Sequence, residues 1–323
     1  MELLRILSML FVLIIHANGF AAPFPEAQDI VTSPVNAFFR YFIEALTAVC
    51  VNSFILLSGW FGINFSLKRL VSFCFQVIFI TIIVILLFHD GRITIKDLID
   101  TITLNHYWFV KAYIFLFIVS PALNLFAQKS DKKTYTLVLV CFFVFQTVFG
   151  YIYNSPWYDD GYSPLPFIGL YLWAQFIRRF IQPWDKKYDI LGYLGVSLII
   201  TALSLLLIFR FNTGGRMFNY TSPLIIASST FFVLFFSKLK FQSRIINWIA
   251  ISSVAAYLIH LHPDFKPIFA STIQGWYQTY PSALFILYTT GFILGIFIIG
   301  VFIDKIRALF WNKGIELFSR EPN

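Results

Sequence analysis

Ten apolar runs follow one another along the chain and leave almost nothing between them. They fall at roughly 3–20, 41–61, 70–88, 107–126, 134–153, 165–182, 190–209, 222–237, 248–263 and 283–303. At 1.5 Å of rise per residue, about 20 residues cross the ~30 Å hydrocarbon core of a bilayer. Within hydrocarbon a backbone must satisfy its own polar groups, which uninterrupted apolar runs of this length do as helices. The longest connectors, PFPEAQDIVTSPVNAFFR and HDGRITIKDLIDTITLNH, are about 18 residues. The expectation is an all-α polytopic membrane protein of about ten transmembrane helices, one domain over 1–323 with no soluble domain.

Composition closes off the alternative. A soluble domain carries about a quarter charged residues, whereas here 12% are charged, 59% are hydrophobic and mean hydropathy is +0.76. The first run exceeds the usual signal-peptide core of about 7–15 residues and has no convincing cleavage site, so it reads as a retained span. It starts at Leu3 with almost no leader, and a few residues are expected upstream. Cys50, Cys74 and Cys141 all lie in apolar runs without a neighbouring ligand at metal spacing, so they read as small buried hydrophobes and no metal site is expected.

Basic residues set the expected orientation. With both termini cytoplasmic, Arg5, Lys68, Arg69, Lys129, Lys132, Lys133, Arg178, Arg179, Lys186, Lys187, Lys238, Lys240, Arg244, Lys305, Arg307, Lys313 and Arg320 lie inside. Arg40, Arg92, Lys96, Arg210, Arg216 and Lys266 lie outside. The net charge of +8 is then this inward bias, directed at anionic lipid head groups and not at nucleic acid. The connector NSPWYDDGYSPLP, with Asp159 and Asp160, falls on the outer side.

Ionisable groups within spans cost about 2.5–3.5 kcal/mol each for Arg, Lys or Asp at the centre and tend to line an interior path. Arg5, His16, Glu44, Lys111, His260 and His262 are the candidates. Arg5 and His16 lie eleven positions apart, about three helical turns, hence on one face and about 16 Å apart along the axis. Arg5 alone reads as a snorkelling anchor and His16 alone as a packing residue; together they are best accommodated on a face turned to a protein interior. Asn52, Ser58 and Gly59 put small groups into the second run, compatible with close helix packing. Lys111 lies about a turn below Trp108, where snorkelling accounts for it. Tyr257 and His260 share a face, whereas His262 lies about 200° round and precedes Pro263, which removes it from helical geometry. Asn219-Tyr-Thr221 matches a glycosylation sequon. There is no G-x-S-x-G elbow, phosphate-binding Gly loop or H-E-x-x-H.

LRILSMLFVLIIH, FILLSGWFGINFSLKRL, YWFVKAYIFLFIVSPALN and AAYLIH, in that order, resemble the acyltransferase-3 family, integral membrane O-acyltransferases of surface glycans. Arg5 and His16 match its Arg-x10-His first-span signature, and the likeness covers nearly the whole chain. Where the family commonly carries Arg-x-x-Arg after its Ser-Gly span, this chain has Lys68-Arg69 without a second arginine at that spacing. The resemblance implies transfer of an acyl group, usually acetyl, from cytoplasmic acyl-CoA to a hydroxyl of an extracytoplasmic or lipid-linked glycan. It places the protein in a bacterial cytoplasmic (inner) membrane, with no permanently bound cofactor. Arg5, Lys68 and Arg69 would meet the donor's phosphates. His16 would act as general base or, alternatively, carry the acyl group covalently. Asn52, Ser58, Lys111, Tyr257 and His260 are candidates for substrate contact or support, and Asp159 and Asp160 for glycan contact. The competing class is a transporter or flippase of a lipid-linked glycan or small metabolite, its polar residues lining a pathway, although no repeat of the kind such folds use is visible.

Overall fold

The computed structural model describes residues 1–91, 93–211 and 213–319, so that Arg92 and Arg320 lie outside the described residues. Among the described residues fifteen α-helices follow in chain order. They are α1 (Glu2–His16), α2 (Ala27–Thr32), α3 (Pro34–Thr47), α4 (Cys50–Phe61), α5 (Leu67–Phe88), α6 (Ile95–Ile102), α7 (Trp108–Lys129) and α8 (Lys132–Phe145). Then come α9 (Pro164–Phe180), α10 (Lys186–Phe211), α11 (Pro223–Ser237), α12 (Arg244–Ala250), α13 (Val254–His260), α14 (Lys266–Thr279) and α15 (Ser282–Ser319). Two π-helical stretches, Ala17–Ala21 and Gln146–Ile152, extend α1 and α8. No strand occurs among the described residues.

Among the described residues eight helical segments are long and apolar enough to cross a membrane: Glu2–Ala21, Pro34–Phe61, Leu67–Phe88, Trp108–Lys129, Lys132–Ile152, Lys186–Phe211, Gly215–Ser237 and Ser282–Lys313. The two other expected spans fall short for separate reasons. At 165–182 the helix is the 17-residue α9, started by Pro164 at its first turn. At 248–263 the apolar stretch is broken at Ile251–Ser253 into the seven-residue α12 and α13. The second span also begins earlier than composition suggests, because Pro34 opens α3 and carries Arg40 into the helix.

The chain divides into two compact units. The first comprises 1–65 and 108–242, the second 66–107 and 243–323. In the first, α4 packs on α9 at a backbone-to-backbone distance that only glycine permits: a Cβ on Gly59 would lie 2.4 Å from the Tyr171 carbonyl oxygen. The Ser58-Gly59 pair therefore serves close helix contact, as its composition suggests. Side-chain hydrogen bonds to main-chain carbonyls tie further helices together, Tyr193 Oη to Leu46 O (2.7 Å) and Tyr135 Oη to Leu172 O (2.9 Å) among them. Buried Asp189 on α10 pairs with Lys238 Nζ at 2.6 Å. Cys50 is buried as expected, Cys74 is half-buried, and Cys141, expected to be buried, is exposed on the surface of α8.

In the second unit α5 and α15 are joined by Gln76, which donates to Asp304 at 2.8 Å, with Arg307 completing the cluster at 2.9 Å. Tyr107 donates to the Leu258 carbonyl at 2.7 Å. His89 and His262 flank Asp264, at 3.1 and 3.7 Å. Thr94 and Asp97 form a reciprocal cap that starts α6.

Candidate active site

On α1 the buried positions Leu4, Ile15, Ser8, Val12, Met9, Leu13 and Ile6 form one continuous arc when indexed at about 100° per residue. Arg5 and His16 fall in the middle of that arc, between Val12 and Met9. The two basic side chains thus share the inward face of the first span. Arg5 lies near the start, where its guanidinium pairs with Glu2 at 2.6 Å, both side chains about a third exposed at 32% and 30%. His16 ends the α-helical part and is half-buried against the Phe20 ring, centroids 5.0 Å apart.

Immediately after His16 the helix widens into its π-turn. Such turns accommodate one residue more than an α-turn, and the buried polar residue the turn carries is Asn18, between buried Ala17 and Ala21. Its Nδ2 donates to Glu44 Oε2 at 2.7 Å and to the Arg40 carbonyl at 3.0 Å. Its Oδ1 accepts from Arg40 Nε at 2.5 Å, while Arg40 Nη2 reaches the carbonyls of Asn18 (2.6 Å) and Pro23 (3.1 Å). The amide is therefore oriented without ambiguity, its NH2 toward the carboxylate and its oxygen toward the guanidinium. All three side chains are buried, at 9%, 6% and 8% exposure for Asn18, Arg40 and Glu44. Gly19 permits the approach, since a Cβ there would lie 2.9 Å from Glu44 Oε1.

Of this network Glu44 reaches the wall of a cavity of about 330 Å³. His16, Gly19, Phe20 and Phe24 line it from the first span and its exit, and Glu44 from α3. Asp160 and Tyr162 line it from the loop before α9, and Phe218, Asn219 and Tyr220 from the approach to α11. Asn219 Nδ2 donates to Asp160 Oδ1, and Tyr220 N–H to the Asp160 carbonyl at 3.2 Å, which locks the two loops together. Asn52 on α4 holds the same loop from behind by donating to the Tyr220 carbonyl at 3.0 Å. Trp108 stacks on Tyr220 and meets Tyr162 edge-on, with centroids at 6.1 and 4.6 Å. The cavity thus offers an imidazole, two carboxylates, one amide and a surround of aromatic rings. An imidazole can exchange a proton with a hydroxyl held in such a space, and aromatic faces with flanking carboxylates suit a polyhydroxyl ligand.

The sequence-derived candidates separate as follows. His16 and Asp160 line the cavity and Asn52 supports it, while Asp159 is absent from its lining. Arg5 is on the same helix face but about 16 Å down the axis. Ser58 donates to the Phe54 carbonyl at 2.9 Å and meets Tyr113 Oη at 3.3 Å, at neither wall of the cavity. Lys111 is exposed on α7. Lys68, Arg69, Tyr257 and His260 belong to the second unit. There Tyr257 and His260 are buried, and His260 Nδ1 bonds the Ala256 carbonyl at 2.7 Å within its own helix. Sequence reasoning placed Arg40 in an outer connector, but it is buried on α3. It also found no carboxylate in the first span to orient His16; Glu44, which lines the same cavity, belongs to another helix. The available signal was the i,i+4 spacing of Arg40 and Glu44 at the edge of an apolar run, together with Asn18 two residues after His16.

Apolar spans enclosing a cavity with an imidazole at its wall define a polytopic membrane protein with an internal polar site. A family model described as an acyltransferase domain matches residues 1–304 of the 323 and so runs across both units. The chain belongs to the acyltransferase-3 family, and is by that membership a membrane acyltransferase. No curated protein and no solved structure matches it.

Proposed function

We propose that the protein transfers an acyl group, acetyl by preference, from cytoplasmic acyl-CoA to a hydroxyl of an extracytoplasmic or lipid-linked glycan, in a bacterial inner membrane with both termini cytoplasmic. The observation that carries this reading is His16 and Glu44 lining one cavity with an aromatic and carboxylate surround. His16 takes the proton of the acceptor hydroxyl as its oxygen bonds to the thioester carbonyl carbon. When the tetrahedral intermediate collapses, the C–S bond breaks and the imidazolium returns the proton to the thiolate. The products are an ester and free thiol. General-base assistance of this kind contributes about 10²–10⁴-fold. Direct transfer is preferred to an acyl-histidine because one imidazole serves both proton transfers. Asn18, Arg40 and Glu44 position the end of the first span, and with it His16. Arg5, Lys68 and Arg69 are the sequence's candidates for the donor's phosphates.

The test is His16→Ala, and separately Arg5→Ala, with glycan O-acylation read by mass at matched membrane expression. Loss of the acyl mass increment in the His16 variant is the expected result. Full acylation there would remove the catalytic assignment, and substrate movement without a mass change in the wild-type protein would favour transport.

A further inference from the structure

A second polar cavity in the first unit, about 630 Å³, opens where α4, α7 and α9 end. Its volume is of the size that encloses a small-molecule ligand. Asn64, Asn124, Gln128 and Gln175 supply amide groups, and Arg178 and Arg179 are consecutive at the end of α9. Arg178 Nη1 donates to the Trp60 carbonyl at 2.5 Å and its guanidinium lies over Phe61. Arg179 Nη1 donates to the Ala127 carbonyl and its guanidinium lies over Phe180 at 4.6 Å. A guanidinium has five N–H donors, so each arginine is held in place by one bond and keeps others for a ligand. Among the described residues neither arginine has a carboxylate within ion-pair distance. The turn between them and α4 is fixed as well. Tyr171 Oη donates to Asn124 Oδ1 at 2.7 Å and accepts from Ile63 N–H at 2.7 Å, and Asn124 Nδ2 donates to the Ile63 carbonyl at 2.8 Å.

We infer that this cavity binds the phosphate-bearing end of the acyl donor, with Arg178 and Arg179 as its charged contacts. The inference rests on the acyl-CoA reading above and locates one end of that ligand. Two preset guanidinium groups without counter-charge, walled by amides, match a nucleotide diphosphate better than an apolar chain. Distance supports the same ligand. Along α4, Gly59 lines this cavity while Asn52 holds the loop of the His16 cavity, about 10 Å apart at helical rise. Along α9, Arg178 is about 21 Å from Pro164, the first residue of the helix and two positions after Tyr162, by the same measure. An extended pantetheine arm, at about 3.3–3.6 Å per three-bond unit and some five units long, lies within that interval.

The experiment uses the full chain in nanodiscs of neutral phosphatidylcholine, with coenzyme A as the probe and calorimetric titration as the readout. Arg178→Gln and Arg179→Gln are each expected to raise the Kd at least tenfold, and the lysine replacements to recover most of it. The KM for acyl-CoA should rise with kcat retained. Gln128→Glu, which leaves both arginine–carbonyl bonds in place, should weaken binding too and so covers misfolding of the arginine variants. Unchanged coenzyme A affinity in all of these would overturn the inference and leave the arginines as clamps on helix ends. If instead the variants lose only stabilisation by added phosphatidylglycerol, the phosphate recognised is a lipid head group and the inference fails. A wild-type protein that acylates glycan yet binds no coenzyme A would overturn the donor reading itself.

Discussion

Gly19→Ala changes one hydrogen for a methyl group, and the sign of its effect tests the buried network. In a helix interior the replacement ordinarily stabilises by about 0.5–1 kcal/mol, because glycine loses more backbone freedom on folding. Here the new Cβ would lie 2.9 Å from Glu44 Oε1, well inside the ~3.5 Å at which carbon contacts become favourable. The carboxylate must retreat by about 0.5 Å, yet it is buried and tied by Oε2 to Asn18 at 2.7 Å. Stretching or losing a buried hydrogen bond so that a polar atom is left unsatisfied costs about 1–3 kcal/mol, which outweighs the entropic gain. The expected net effect is a destabilisation of about 1–2 kcal/mol, with reduced acyl transfer because His16 ends the same helix. Equilibrium unfolding in mixed micelles, beside glycan acylation at matched expression, measures both. In a Glu44→Ala background the obstacle is gone, and Gly19→Ala should become neutral or stabilising. A single Gly19→Ala variant as stable and active as wild type would refute the reasoning.

Lys238→Met leaves Asp189, fully buried on α10, without its 2.6 Å partner. Breaking a buried pair costs about 3–5 kcal/mol, so the melting temperature should drop sharply and recover in part with Asp189→Leu added. Outside the spans, hydrogen bonds from the Thr94 side chain and backbone hold the Asp97 carboxyl below its ordinary value. A folded-state value below the unfolded one means the cap's contribution is complete above the ordinary carboxylate range and is lost as pH falls through the folded value. The protection factor for amide exchange at Leu98, whose N–H bonds the Thr94 carbonyl, should fall in acid once the intrinsic pH dependence is divided out, and Asp97→Asn should abolish that fall.

The spans were legible because length and apolarity suffice to mark them, and the inward face of α1 because helical periodicity puts Arg5 and His16 in one direction. Ambiguity arose where those signals weaken. A proline-started 17-residue helix and a broken apolar stretch carry the composition of spans without their length. Arg40 looked like loop because charge at the edge of an apolar run is the ordinary mark of an interface, and only its bonds to Asn18 and nearby carbonyls show otherwise. The π-turn left no trace in the letters, since Ala-Asn-Gly-Phe-Ala has no composition peculiar to it. Glu44 could not be placed in the cavity of His16 because their sharing it depends on how separate helices fold together. Asp160 was identifiable as a polar loop residue, but its meeting with Asn219 spans 59 positions of chain.

The π-turn also makes the opening rod sensitive to length as well as to identity. Removing Ala17 would close the wide turn into ordinary α-helix and bring Asn18 into the preceding position, a rotation of about 100° about the axis, while the chain beyond the turn keeps its direction. Conservative replacements there are absorbed locally, whereas a lost Ala17 codon would swing the Asn18 amide out of reach of Arg40 and Glu44. For this segment the reading frame of the helix, more than its chemistry, is what descent must preserve.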